Sequence, residues 1–363
     1  MAMTLSTLSD LSKLRHATDL NEVNLVFDDS KFRGNLALYP IKYGVWALRR
    51  GGHLKIHAPG LPTKTYLTEK RLSFHFLVQL IARVSEGWAS ICHYDLDKRK
   101  LVLKRTRPVL SPGWSAGVVF SGASSEAESL NECIKGLLEQ PELLESRDIV
   151  VCGPSASRNM LATNKYVRYL PYDTPFESGR FLLGRKKNIL LKALHHERAL
   201  ICHTRIVLRP KCLSLLPREF DIITPRVWTQ GSKSCLPYLD LQFVKTATEA
   251  MIASGVPVPC YYDRHHWHDY LSTLYPFIDG GLFCVRRQLA IQTPIHDTIA
   301  WGEAEDVEWC KRLLQSGNLV ELAEYSHADS SICKMPIYHK WGHMKTYRLI
   351  WPAWKYCDAI FSR

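Results

Sequence analysis

Short apolar runs alternate with amphipathic stretches along most of the chain. Glu22 to Asp29 is apolar from Leu25 to Phe27 and closes on two acids, which predicts a buried strand. A helical pattern runs through Tyr43 to Leu48, and Gly51-Gly52 predicts its stop, with a strand after it. Phe74 to Val84 carries helical spacing. Ala89–Tyr94 and Lys100–Arg105 alternate around Asp95-Leu96-Asp97-Lys98, a hairpin signal. Farther on, Gly117–Ala123 reads as a buried strand, Ser125–Leu138 as a helix and Asp148–Pro154 as a second strand. Strand, helix and strand at this spacing predict a parallel βαβ unit, whose ligands sit at the carboxyl ends of the strands. That places Ser121, Gly122, Ala123 and Gly153 toward a ligand. A helix over 184–194 opens on Arg185, Lys186 and Lys187 and leads into the apolar Ala199–Cys202. A helix starting near Ala304 should end at Gly317, followed by a strand over Leu319–Ala323.

This order defines an α/β protein. Its 363 residues suffice for two or three domains, and 46% hydrophobic against 23% charged residues is a globular balance. Pro108, Ser111, Pro112 and Gly113 mark a linker, giving segments 1–110, 111–332 and 333–363. No apolar run approaches the ~20 residues of a spanning helix, and the first ten residues lack the apolar core of a leader. The expected location is cytoplasmic. Eleven scattered cysteines without a CxxC pair read as reduced, buried thiols rather than a zinc or disulfide framework.

The net charge of +12 is uneven: +9 over 1–110, +5 over 333–363 and −2 between. No nucleic-acid signature accompanies it. An anionic membrane surface or an anionic lipid-linked substrate fits at least as well, beside the plainer reading of a solvated basic surface. The last segment interleaves Trp341, Trp351 and Trp354 with Lys340, Lys345, Arg348 and Lys355, a pattern suited to peripheral contact with the inner face of a membrane.

Residues 20–106 resemble the C-terminal half of a class I methyltransferase. Leu48-Arg49-Arg50-Gly51-Gly52 is similar to that family's "L-x-P-G-G" turn, with Arg50 where proline is usual, and the closing hairpin matches. Too little chain precedes Glu22 for the family's Gly-rich cofactor loop and following acid, so a truncated domain without methyl transfer is expected. Its Val23–Phe27 strand would lie at an open sheet edge, covered by the next domain or by a second copy of the chain.

Residues 115–330 resemble a nucleotide-sugar glycosyltransferase of the GT-A fold, a Rossmann-like donor-binding domain. That family's "K-K-N" helix is similar to Lys186-Lys187-Asn188, and it leads into a strand ending in a metal-binding Asp-x-Asp. The resemblance implies that Lys186 and Lys187 offer positive charge to the donor diphosphate. Here His203-Thr204-Arg205 stands where the Asp-x-Asp should be. One histidine does not replace two carboxylates for a hard cation, so either Mn²⁺ or Mg²⁺ is held differently or Arg205 serves as a fixed cation. The cofactor therefore stays open, with His327 carried over as a metal ligand.

The family's "G-G" strand and "W-G-E-x-E-D" helix start are similar to Asp279-Gly280-Gly281 and Trp301-Gly302-Glu303-Ala304-Glu305-Asp306. By resemblance Gly280, Gly281, Trp301 and Glu303 belong to the acceptor side, Asp306 is the catalytic base and Glu305 contacts the acceptor. Adjacent helical residues point about 100° apart, so only one of the two acids is expected to face the site centre. The implied activity is sugar transfer from a nucleotide-sugar donor to a saccharide or lipid-linked saccharide acceptor in bacterial surface-polysaccharide synthesis. The alternatives are an S-adenosylmethionine-dependent methyltransferase and a non-catalytic carbohydrate-binding scaffold.

Overall fold

The computed structural model describes residues 2–5, 10–27, 34–62, 73–111, 113–162, 165–173, 182–229, 240–245, 259–260, 267–272, 274–299 and 305–331. Trp301, Glu303 and the aromatic, basic segment after 332 lie outside the described residues.

The N-terminal part holds strands β1 (Ala2–Leu5), β2 (Leu20–Val26), β3 (Leu48–His57), β4 (Ala89–Asp95) and β5 (Lys100–Arg105), in the order β1-β2-β3-β5-β4. Helices α1 (Asp10–His16), α2 (Leu38–Ala47) and α3 (Phe74–Ser85) join them. Two expectations change here. The edge of β2 is covered by the chain's own first residues, because β1 pairs with it in parallel, Ala2 opposite Glu22 through Leu5 opposite Leu25. The helix stop is at Ala47 rather than at the glycines, and Gly51-Gly52 lies inside β3. Gly51 has φ +83°, in the left-handed region that favours glycine, where the β2–β3 register slips between Leu20 and Glu22.

The second sheet has eight strands in the order β10-β16-β11-β15-β9-β6-β7-β8. These are β6 (Trp114–Val119), β7 (Ile149–Gly153), β8 (Val167–Pro171), β9 (Arg198–His203), β10 (Ile206–Leu208), β11 (Ile222–Thr229), β15 (Leu282–Arg286) and β16 (Val320–Ser330). Strands β8, β7, β6 and β9 run parallel, the Rossmann-like half, with α4 (Ala127–Leu138) and α6 (Leu183–Ala193) as crossovers. Strand β15 reverses direction between β9 and β11, and β16 runs parallel to β11. A third, small sheet sets β12 (Leu241–Lys245) between β13 (Pro259–Cys260) and β14 (Leu274–Ile278). Helices α5 (Pro141–Ser146), α7 (Arg287–Gln292) and α8 (Glu305–Gln315) complete the described elements. Strand β16 runs seven residues beyond the expected Ala323, because an irregularity opposite Pro225/Arg226 lets pairing resume at His327.

One apolar cluster runs from Leu11 in α1 through both parts to Leu322 in β16. Buried ion pairs cross the same boundary. Lys42 Nζ on α2 lies 3.1 Å from Asp221 Oδ2, which β15 also meets through Arg286 Nη2 at 2.5 Å to Oδ1. Arg105 reaches Glu219 at 2.6 Å and donates to the carbonyls of Trp46 and Leu48, each at 2.7 Å, at the end of α2. Arg15 pairs with Glu321 at 2.7 Å. Burial pushes the Asp221 carboxyl up, yet Lys42 and Arg286 together hold it below the usual carboxylate range. Replacing Asp221 with Ala would strand two buried cations, a loss of roughly 3–5 kcal/mol. Urea denaturation of Asp221→Ala measures it; an unchanged midpoint would mean that the pairs do not hold the two parts together.

Candidate active site

The carboxyl ends of β6 and β7 lead into loops of small residues that pack together. Ser121 Oγ accepts from the Ala123 N–H at 3.1 Å, and the Ser121 N–H donates to Glu126 at 3.3 Å. Ser157 Oγ donates to the Gly122 carbonyl at 3.0 Å, bringing the two loops together. The Gly153 carbonyl accepts from the Tyr172 N–H at 2.8 Å, and Asp173 accepts from the N–H of Ser155 at 2.9 Å and from its hydroxyl at 2.5 Å. The residues expected to face the donor therefore share one end of the parallel half.

Lys186 and Lys187 are each 1% exposed, deeper than a basic helix start suggests. Their stems run through the apolar layer and only the ammonium groups find polar partners. Lys186 Nζ donates to the Phe120 carbonyl at 2.9 Å, closing the end of β6. Burial lowers its pKa. Lys187 Nζ points the other way, to Glu305 Oε1 at 3.1 Å.

The second half of the site forms around the turn between β14 and β15. The Gly280 N–H donates to Asp306 Oδ2 at 2.9 Å, and the Gly281 N–H to Asp279 Oδ2 at 3.0 Å. The Gly281 carbonyl accepts from the His203 N–H at 3.0 Å, which ties the turn to the end of β9. A Cβ on Gly280 would stand 2.5 Å from Lys187 Nζ, 3.1 Å from Glu305 Oε1 and 3.5 Å from Asp306 Oδ2. Both acids thus converge on this turn, where only one was expected to face the site. The reason is that the turn packs across the first residues of α8, so the 100° between the side chains straddles it.

Desolvation, then the neighbouring Glu305 and Asp279 carboxylates, push the Asp306 carboxyl up to about 7, against the opposing pull of Lys187. Arg205 stands nearby, with Nη2 3.9 Å from Asp279 Oδ2 and Nη1 donating to His203 Nδ1 at 2.7 Å. Because arginine only donates, His203 Nδ1 is the acceptor and its ring proton sits on Nε2. The sequence-predicted His203, Arg205, Lys187, Gly280, Gly281, Glu305 and Asp306 are therefore brought together.

A divalent cation does not fit the described donor set. No group of three or more His, Cys, Asp or Glu side chains suited to a metal occurs among the described residues. Asp279, Glu305 and Asp306 already accept from backbone N–H groups or Lys187, and Arg205 adds a positive charge. His327, expected as a ligand, accepts from Trp228 Nε1 through its Nδ1 at 3.0 Å. Its pKa is lowered first by burial and then by Arg209 and Arg226, against Asp329, whose carboxylate is taken by Arg209.

Sequence reasoning passed over Asp279, which both caps the glycine turn and faces Arg205. It also missed Arg226, a charge inside the otherwise apolar Ile222–Trp228 run; a buried arginine in such a strand was the available signal.

No protein-family profile matches the sequence, and no curated protein matches it. Among solved structures, GalNAc-T7 with UDP, GalNAc and Mn²⁺ is similar at 12% identity and a TM-score of 0.45, over 71% of this chain and 53% of that one. S. aureus TarS 1–349 is similar at 12% identity and a TM-score of 0.38, over 62% of each chain. The same TarS fragment in complex with UDP-GlcNAc gives 12% and 0.37, over 60% and 58%. The chain thus spans about half to three-fifths of the length of these structures.

Gly280→Ala would force Lys187 Nζ off Glu305 and press on the Glu305 carboxylate. The expected loss is roughly 1–3 kcal/mol, the range for overpacking a filled site. Chemical denaturation checks this; a variant as stable as the parent would show that the turn has slack.

Proposed function

We propose that the chain is a glycosyltransferase moving a sugar from a nucleotide-sugar donor to a saccharide hydroxyl by an inverting displacement. The observation that carries this reading is Asp306, a carboxyl pushed up to about 7 at the Gly280 turn, which the His203 N–H ties to the end of β9. A base must be ionised at working pH yet basic enough to take a proton, and a pKa near 7 meets both needs. The donor nucleotide lies over Ser121, Gly122, Ala123 and Gly153. The acceptor lies against Gly280 and Gly281, with Glu305, Trp301 and Glu303 as its further contacts.

In this reading the acceptor oxygen attacks the anomeric carbon while Asp306 takes its proton. The bond from that carbon to the diphosphate oxygen breaks, and the nucleoside diphosphate leaves with the electron pair. Arg205, fixed by His203 and Asp279, meets the developing negative charge where the family uses a metal. Lys187 holds Glu305 in place, and Lys186 holds the end of β6. Surface-polysaccharide synthesis on a lipid-linked acceptor is the setting the charge distribution favours, with the basic C-terminal segment on an anionic membrane. No helix among the described residues is long and apolar enough to cross one.

Release of nucleoside diphosphate from a panel of nucleotide sugars, with saccharide acceptors, tests the proposal. Asp306→Asn should lower the rate about 10²–10⁴-fold while donor binding survives. The rate of the parent should fall as pH drops through about 7, because the protonated carboxyl cannot accept a proton, and the variant should lack that limb. Full activity of Asp306→Asn would remove Asp306 as base. Activity should also persist in EDTA; complete loss restored by Mn²⁺ would show that a metal, and not Arg205, meets the diphosphate. A methyltransferase would instead bind S-adenosylmethionine, and a scaffold would bind saccharide without releasing nucleotide.

A further inference from the structure

Arg226 is buried, 6% exposed, and among the described residues it has no ion pair. Its Nε and Nη2 have no hydrogen-bond partner. The other two buried arginines behave differently: Arg105 reaches Glu219 and Arg286 reaches Asp221. A buried guanidinium without a counter-charge costs several kcal/mol, so its retention calls for an anion that arrives from outside.

Its position says where that anion belongs. Strand β11 runs antiparallel to β15, Ile222 opposite Val285 and Ile223 opposite Cys284, and Thr224 Oγ1 donates to the Leu282 carbonyl at 3.1 Å. Followed onward, the strand passes beside the Asp279-Gly280-Gly281 turn. Asp240 links the two: its Oδ2 accepts from the Val227 N–H at 3.2 Å, and its carbonyl accepts from the Asp279 N–H at 2.9 Å. The Asp240 carboxylate is also taken by the Leu241 N–H at 2.8 Å. Val227 packs in the cluster of α4, so Arg226, its neighbour along the strand, points to the opposite face, which carries α6 and α8.

His327 is the register partner of Arg226 on β16, and Ala328 beside it packs in the α4 cluster, so His327 shares the face of Arg226. Because Trp228 Nε1 donates to His327 Nδ1, the neutral ring carries its proton on Nε2 and offers a second donor there. Burial first, then Arg209 and Arg226, lower the His327 pKa against the opposing pull of Asp329, whose carboxylate is already taken by Arg209 at 2.6 Å.

We propose that Arg226 and the His327 Nε2–H form a binding site for a phosphate or carboxylate group carried by the acceptor saccharide. This rests on the transferase reading. The donor diphosphate is the other source of such an anion; the place of Arg226 beside the Asp279-Gly280-Gly281 turn, the acceptor side in that reading, favours the acceptor, and the nucleoside diphosphate arm of the test separates the two.

The test compares the parent with Arg226→Met, and with Arg226→Lys as a charge-retaining control, at low ionic strength. The probes are inorganic phosphate, a hexose phosphate and a panel of nucleoside diphosphates, read by thermal shift and calorimetry. The parent should bind phosphate and hexose phosphate saturably. Arg226→Met should bind both at least about tenfold more weakly, about 1.4 kcal/mol, and Arg226→Lys should fall between. Nucleoside diphosphate binding should be equal in all three, and unliganded Arg226→Met should melt no lower than the parent. Equal phosphate binding in parent and variants, or none in the parent, overturns the site. A parallel loss of nucleoside diphosphate binding assigns the arginine to the donor and overturns the acceptor assignment. Should Arg226→Met not fold, Arg226 is structural unless Arg226→Lys still shows the intermediate phosphate affinity. If no nucleoside diphosphate binds any form while the phosphate results hold, the transferase reading fails and the anion site stands.

Discussion

The absence of a side chain at Gly280 is the constraint on which the site depends. A methyl group there would lie 2.5 Å from Lys187 Nζ, so with any side chain in the turn between β14 and β15 the lysine would have to leave its place beside Glu305. That closeness gathers a buried ammonium and two carboxylates in a region with little water. The result is a charge arrangement in which Lys187 pairs with Glu305 while Asp306 accepts from the Gly280 and Val307 N–H groups and feels the repulsion of the Glu305 and Asp279 carboxylates. Two adjacent carboxylates thus meet different surroundings: Lys187 pairs with Glu305, while burial and its neighbours push the Asp306 carboxyl up to about 7.

The N-terminal sheet contributes to this geometry from behind. Asp221 sits just before β11 and joins Lys42 of α2 to Arg286 at the end of β15, the strand that begins at the Gly280-Gly281 turn. It also accepts from the Leu319 N–H at 2.9 Å ahead of β16. A single buried carboxylate therefore fixes the far ends of the strands whose near ends carry Arg226, His327 and the glycine turn. The first part thus stands as a supporting layer behind the site.

Much of this was legible in the residues. The β6–α4–β7 unit, α6, β9 and the helix at Glu305 follow from apolar spacing, and the small loop residues follow from their place at strand ends. Other features were not. Strand β1 is four residues with no turn signal, and it exists only because β2 offers an edge. Gly51-Gly52 reads as a helix cap in isolation, but the strand pairing with β2 makes it a bulge. Lys186 and Lys187 look like a solvated helix start, since nothing local reveals that the Phe120 carbonyl and Glu305 await them. The convergence of Glu305 and Asp306 and the solitary charge of Arg226 are tertiary facts, set by which strand lies beside which.

The central claim, a nucleotide-sugar site at the carboxyl ends of β6, β7 and β9, is tested most directly by a thermal-shift panel of nucleotide sugars and S-adenosylmethionine, with EDTA and with Mn²⁺. A ligand at about 100 times its Kd should stabilise the protein by about 2.7 kcal/mol. The account predicts that at least one nucleotide sugar raises the melting midpoint in EDTA and that S-adenosylmethionine does not. A midpoint unmoved by every nucleotide sugar, with or without Mn²⁺, or one raised by S-adenosylmethionine alone, would contradict it.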